Sequence, residues 1–222
     1  MTETKRPYRM SARARAQEET RQRIVEATIR LHEALGPRAT TISAIAKEAG
    51  VQRLTVYRHF PDETAVFQAC TAHWLELNPP PDPREWAQEA AGPQRARRAI
   101  ADFFAYYRRT RRMWMASFRD VDEVPALQGP MAEFARFVRG VADGLAGEIA
   151  PAQGELAPVV ETLRHVLHFL TWKELDEQGL SDAEKLALVM DWLEGVRRGT
   201  EDALRRAAEA PHQGAQSRST PQ

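Results

Sequence analysis

Gln52, Arg53, Leu54, Thr55, Tyr57, Arg58 and His59 sit within one short stretch of the chain, and these are the side-chain types that hold and read nucleic acid. An arginine grips the edge of a guanine with two hydrogen bonds, and a glutamine reaches an adenine or a phosphate. Leucine can touch a thymine methyl, while hydroxyl and imidazole groups meet phosphate oxygens. Val56 and Phe60 are threaded through the stretch at a spacing of four, so one helical face buries them and leaves the polar groups outside. Arg53, early on this helix, is the candidate for a guanine edge.

The stretch just upstream explains how such a helix would be presented. Thr40 and Thr41 are capping types, followed by Ile42, Ile45, Ala46 and Ala49 at helical spacing. Gly50 can take a left-handed backbone angle, so the chain turns at once and Val51 drops between the two helices. Residues 40–60 therefore read as helix, tight turn and second helix, the arrangement that places a short helix in the major groove of DNA. Thr41 and Ser43 lie at the start of the first of these helices, where backbone amides can meet a phosphate.

This stretch resembles the DNA-binding domain of the TetR family of bacterial transcriptional regulators. The resemblance rests on Thr41, the Ile45-Ala46 pair, Ala49-Gly50-Val51, Thr55 and the Tyr57-Arg58-His59-Phe60 run, with a long helix directly after it, and it covers roughly residues 21–67. It implies that Thr55, Tyr57 and His59 match family residues that contact phosphate or sugar. One position departs. Family members commonly carry a phosphate-binding lysine near the start of the fourth helix, and here Glu63 stands beside Asp62. Carboxylates suit a helix N-terminus but repel DNA, so that contact is expected to be missing.

Composition agrees with an anionic partner at one end only. The 222-residue chain has no formal net charge, yet through Phe60 it carries twelve Lys and Arg against six Asp and Glu, a net +6 balanced by −6 in the remainder. The single cysteine, Cys70, leaves no internal disulfide framework and fits a reducing cytoplasm. No apolar run reaches membrane-spanning length, and the first residues lack the apolar core of a signal peptide. A cytoplasmic protein with no membrane partner is expected.

The elements that must position the reading helix follow from spacing. Residues 1–11 are polar, basic and interrupted by Pro7, and are expected to form a disordered arm whose Lys5, Arg6 and Arg9, with Arg13 and Arg15 beyond, could lie along DNA. Ile24, Thr28, Leu31 and Leu35 mark a helix stopped by Gly36-Pro37, which completes a three-helix domain over residues 12–61. Val66, Phe67, Cys70, Trp74 and Leu77 mark a fourth helix, ended by the proline run Asn78–Pro83. Beyond it come a stripe of Ile100, Phe103, Phe104 and Tyr107, a shorter aromatic segment with Met113, Trp114 and Phe118, and a stripe of Met131, Phe134, Val138, Val141 and Leu145. A long helix after Gly154 carries Val160, Leu163, Leu167 and Leu170, and the last opens with a Ser181/Glu184 capping box. The tail 211–222 is poor in apolar residues and is expected to be disordered. The fold class is all-α: an N-terminal helix-turn-helix domain and a C-terminal helical domain over residues 62–210.

Two apolar stripes, Leu163, Leu167 and Leu170 on one helix and Leu186, Val189, Met190 and Leu193 on the last, form a hairpin that either buries them internally or offers them to a twin. The residues alone leave both open. The resemblance implies the second, a homodimer sealed by a four-helix seam. It also implies a small-molecule effector, of identity the sequence does not give, bound in the C-terminal domain. Trp74, Phe103, Tyr107, Trp114, Phe118, Phe134, Phe137, His165, His168 and Trp172 are the candidates for lining its cavity, against the plainer reading that aromatics at helical spacing are core.

Competing classes are an enzyme and a helical hydrophobe-binding or scaffold protein with a basic end. No Gly-rich phosphate loop, HExxH, Gly-x-Ser-x-Gly or CxxC occurs, so no catalytic residue, cofactor or metal ligand is assigned. His165 and His168 have no carboxylate or thiol partner nearby in sequence to complete a metal site. The reading is a regulator, a repressor released from a palindromic double-stranded DNA operator by a hydrophobic or aromatic effector. If Arg53 grips a guanine, Arg53→Ala costs roughly 1–3 kcal/mol on the cognate duplex and relaxes preference at one position per half-site. Tyr57→Phe should instead weaken all sequences alike. Unchanged affinity and preference in an Arg53→Ala titration would remove Arg53 from the reading set.

Overall fold

Ten helices build the described part of the chain. The computed structural model describes residues 5–150 and 156–209, which form α1 Lys5–Leu35, α2 Ile42–Glu48, α3 Arg53–His59, α4 Glu63–Leu77 and α5 Pro83–Trp86. They continue as α6 Pro93–Asp120, α7 Pro125–Ile149, α8 Leu156–Val166, α9 Phe169–Glu177 and α10 Asp182–Glu209. No strand occurs among the described residues, and the fold is all-α. The chain divides into two compact units, Met1–Asp82 with Phe103–Phe137 and Pro83–Asp102 with Val138–Gln222. The unit that holds α3 thus extends past residue 61 and takes in α4 and parts of α6 and α7.

In the first unit α1 packs against α2, α3 and α4. Ile24, Val25 and Ala27 of α1 meet Ile42, Ile45 and Ala46 of α2, Val56 of α3, Phe60 and Val66 in one buried cluster. Thr41 caps α2 by accepting from the Ala44 amide at 3.2 Å, and Gly50 makes the turn to α3 at φ 66°. Asp62 caps α4 by accepting from the Ala65 amide at 2.8 Å. A second, aromatic cluster joins α6 to α7, with the Trp114 and Phe134 rings 4.2 Å apart and Tyr106 and Phe103 close by.

The second unit packs α8 against α10, with α9 touching both. Leu163, Leu167, Phe169, Trp172, Val189 and Leu193 are buried there. Lys185 is 1% exposed, and its ammonium reaches Asp176 at 2.7 Å and Asp182 at 3.2 Å while lying 5.2 Å over the Trp172 ring. The capping box at the start of α10 forms as expected, the Ser181 amide donating to Glu184 at 2.8 Å and the Glu184 amide to Ser181 Oγ at 3.3 Å.

Four expectations are corrected. Residues 5–11 belong to α1 instead of a disordered arm, because Pro7 falls in the first helical turn, where its missing N–H has no partner to lose. The Ile100 stripe and the Trp114 segment are one continuous helix, α6; the arginine-rich stretch between them is held in place by Arg109, which stacks 4.8 Å from the Tyr106 ring and donates to the Pro79 carbonyl at 3.1 Å. The long helix after Gly154 is broken at His168, whose extended backbone and side-chain bond to the Leu170 amide at 3.3 Å start α9 afresh. Leu35, expected on the buried stripe of α1, is 49% exposed, and His32 takes that face. The tail 211–222 lies outside the described residues.

Lys185 gives a direct check on the second unit. Lys185→Ala removes the buried ammonium that the two aspartates share and should lower stability by roughly 3 kcal/mol. Chemical denaturation would read it, and an unchanged midpoint would mean that the two aspartates are held elsewhere.

Candidate nucleic-acid interface and effector cavity

α3 is anchored by its apolar minority. Val56 is fully buried and Phe60 is 3% exposed, whereas Gln52, Arg53, Tyr57 and Arg58 are exposed and Leu54 is 70% exposed. Leu54 is thus an open apolar surface on a seven-residue helix. Thr41 and Ser43 are exposed at the start of α2, beside the cap. Thr55 and His59 are half-buried and, with Arg58, line a groove shared with Arg13, Gln17, Thr20 and Arg21 of α1. Arg21 also places its guanidinium 5.1 Å over the Phe60 ring. α1 therefore adds basic residues beside α3, a contribution from Arg21 that sequence spacing did not single out.

A cavity of about 280 Å³ opens in the same unit, walled by the end of α1 and by α4, α6 and α7. Trp74, Trp114, Phe134 and Phe137 line it, together with Phe67, Met113, Leu127 and Met131. The polar groups in the wall are few. His32 and Cys70 meet at 3.5 Å between Nδ1 and Sγ, and Thr71, Ser117 and Glu133 complete the set. Burial lowers the His32 imidazole to about 4, with Asp120 opposing, so the ring is neutral near pH 7. Burial pushes the Cys70 thiol up to about 12, with the Glu33 carboxylate adding to it, so the thiol keeps its proton. Apart from the exposed Glu133 carboxylate, the wall offers aromatic faces and neutral hydrogen-bonding groups, which fits an uncharged aromatic or hydrophobic molecule.

The other candidates for the cavity fall elsewhere. Phe103 and Tyr107 are fully buried behind it, touching the lining rings Phe137 and Trp114, and Phe118 packs on Trp114 at 6.1 Å. His165, His168 and Trp172 belong to the second unit and are not in the wall. His165 and His168 are exposed, His168 caps α9, and Trp172 is core under Lys185. His32 was missed as a lining residue. Ile24, Thr28 and His32 recur every four residues, a signal that marks His32 as inward-facing.

The seam candidates also divide. Leu163, Leu167, Val189 and Leu193 are buried within the chain itself and fill the core of the second unit. Leu170, 41% exposed, and the half-buried Leu186 and Met190 remain on the surface, and Trp192, not singled out before, is 38% exposed. An apolar stripe cannot by itself tell an internal neighbour from an external one.

Comparison with known proteins supports the same picture. Residues 24–70 match the family of bacterial regulatory proteins of the TetR type. The HTH-type transcriptional regulator SrpR of Pseudomonas putida is 46% identical over 68 residues, which are 29% of this chain and 32% of that protein. The chain thus spans about a third of this curated relative. A TetR-like transcriptional regulator from Rhodococcus sp. RHA1 superposes with a TM-score of 0.58 at 16% identity, covering 86% of this chain and 97% of the other. A tetR-family transcriptional regulator from Streptomyces coelicolor does so with a TM-score of 0.59 at 18% identity, covering 89% and 92%. At such identities the likeness is one of fold.

The neutral state of His32 has a pH signature. The folded chain binds that proton only near pH 4, whereas an unfolded histidine binds it near 6.5. Between those values the unfolded state holds the extra proton, so stability falls as pH drops through this window and is fully present above it. Going from pH 7 to 5 should cost about 2 kcal/mol more in the wild type than in His32→Gln. Parallel urea titrations of the two proteins with the same pH dependence would contradict this.

Proposed function

We propose that this chain, a member of the TetR family of bacterial regulatory proteins over its N-terminal region, is a DNA-binding transcriptional regulator and not an enzyme. The observation that carries the reading is the exposed set Gln52, Arg53, Leu54 and Tyr57 on a helix fastened from behind by Val56 and Phe60. Its partner is duplex DNA, so its place of work is the cytoplasm. Arg53 and Gln52 read base edges and Leu54 meets a thymine methyl. Thr41, Ser43, Thr55, Tyr57, Arg58 and His59 hold phosphates and sugars. Arg13 and Arg21 extend the basic surface along α1. No described helix is long and apolar enough to cross a membrane.

The protein acts as a homodimeric repressor whose effector binds in the cavity next to α1. Two copies place two recognition helices on half-sites about 34–36 Å apart, or on wider ones, and an effector that favours another separation releases the DNA. The α10 surface supports the dimer. Gly195 and Gly199 are exposed, with open space at their β positions, on the same side of the helix as the exposed Trp192. Glycine inside a helix costs roughly 1 kcal/mol relative to alanine, so two of them beside an exposed tryptophan favour close approach by another backbone.

Selection from a random duplex library should return a palindrome, and neutral aromatic compounds should weaken its binding; recovery of no preferred duplex would leave the scaffold reading in place. Trp192→Glu should give monomers by sedimentation and lower operator affinity, since each monomer keeps one recognition helix. Trp192 is the position to charge because it is exposed, whereas the neighbouring Leu193 is buried in the core. A Trp192→Glu protein that stays dimeric rules out this seam.

A further inference from the structure

The end of α1 is tied to the corner between α6 and α7 by polar bonds, all within the first unit. Arg119 Nη2 donates to the Leu35 carbonyl at 2.9 Å, and the Arg38 amide donates to Asp120 Oδ2 at 3.1 Å. The Arg38 guanidinium pairs with Glu123. Asp120 is 2% exposed and takes Arg119 Nε at 2.7 Å as well. That neighbour holds its carboxyl below the usual carboxylate range. Gly36 threads between these groups at φ 93°, where a β-carbon would overlap both the Arg119 guanidinium and the Asp120 carboxylate. Leu35 and Arg38 are therefore bonded to the end of α6, with Gly36 packed between them.

The cavity wall is divided between the same two sides. His32 and Pro37 come from the α1 side, and Ser117, Leu127 and Pro130 come from α6 and α7. We propose that the Arg119–Asp120 clasp on Leu35–Arg38 couples occupancy of this cavity to the DNA-reading helices; the proposal rests on the effector reading above. An occupant wedged between His32 and Ser117 shifts the α6 end relative to α1. Apolar side chains in the wall slide past one another, but directional bonds to a buried carboxylate do not. The α6 end therefore drags the backbone of residues 35–38. Thr40 Oγ1 donates to the Gly36 carbonyl at 2.8 Å and Thr41 caps α2, so the pull reaches α2, and through it α3, within a few residues.

The test uses the full chain, a duplex selected by the wild type, and N-phenyl-1-naphthylamine as a neutral aromatic probe whose fluorescence rises on burial. The variants are Arg119→Ala, Asp120→Asn and the conservative Arg119→Lys; Arg119 is mostly exposed and the Asn keeps the size of Asp120, so the fold should survive. In the wild type the probe should weaken duplex binding by about tenfold, a typical coupling. In Arg119→Ala and Asp120→Asn, probe affinity and probe-free duplex affinity should stay within about threefold of wild type, while the release ratio falls toward one. Arg119→Lys, which keeps a donor for Leu35, should restore part of the ratio. Full release in the Ala and Asn variants overturns the clasp. A wild type that takes the probe without releasing DNA, or does not take it, instead overturns the effector reading.

Discussion

Two side chains hold α3 in place. α3 has seven residues, far fewer than the dozen or more an isolated helix needs to persist in water, so its shape is imposed from outside. Val56 and Phe60 impose it by burial against Ile24, Ile45 and Ala46. Each such burial contributes roughly 1.5–3 kcal/mol, enough together to fix both the existence and the rotation of the helix. Once that rotation is fixed, the outward direction of Arg53, Leu54 and Tyr57 follows from the helical period. The polar face needs no stabilising contact of its own and stays free to be specified by a ligand.

Buried polar groups are accommodated in two ways. Lys185 of the second unit lies against two aspartates and an aromatic face, as Asp120 of the first lies against Arg119. His32 and Cys70 of the first unit instead face the cavity and are held neutral by burial. Both outcomes follow from the penalty on an unpaired charge away from water, met by pairing in one case and by proton loss or retention in the other. The consequence for ligand choice is physical: an anion in the cavity would find no buried cation to compensate it.

How much of this was legible in the sequence depended on whether a signal was local. The cap at Thr41, the turn at Gly50, the capping box of Ser181 and Glu184 and the proline run after Leu77 are all decided by residues next to one another, and each is where spacing placed it. The continuity of α6 and the break at His168 were not legible. In α6 the arginine-rich middle looks like a boundary until Arg109 finds Tyr106 and Pro79, and at His168 no Gly or Pro marks the break. Among the aromatics, Trp74, Trp114, Phe134 and Phe137 line the cavity while Phe103 and Tyr107 lie behind it, a difference set by side-chain packing across helices and invisible to periodicity. Leu163 and Leu193 point inward and Leu170 outward for the same reason.

The proximity of an apolar cavity to a polar clasp bears on how large a regulatory effect the unit can support. An occupant alters DNA affinity only by the difference in its affinity for two arrangements of the protein. A tenfold to hundredfold release requires roughly 1.4–3 kcal/mol of such difference. Apolar contacts supply total affinity easily, but they are non-directional and are largely remade in either arrangement, so they contribute little difference. A hydrogen bond to a charged group, such as that from the Arg38 amide to Asp120, contributes about 1.5–3 kcal/mol and is lost over a displacement of an ångström or less. One such bond is already of the required size. With the proposed clasp, the cavity can be tolerant of the occupant's shape while the response stays sharp, because affinity and coupling would reside in different groups.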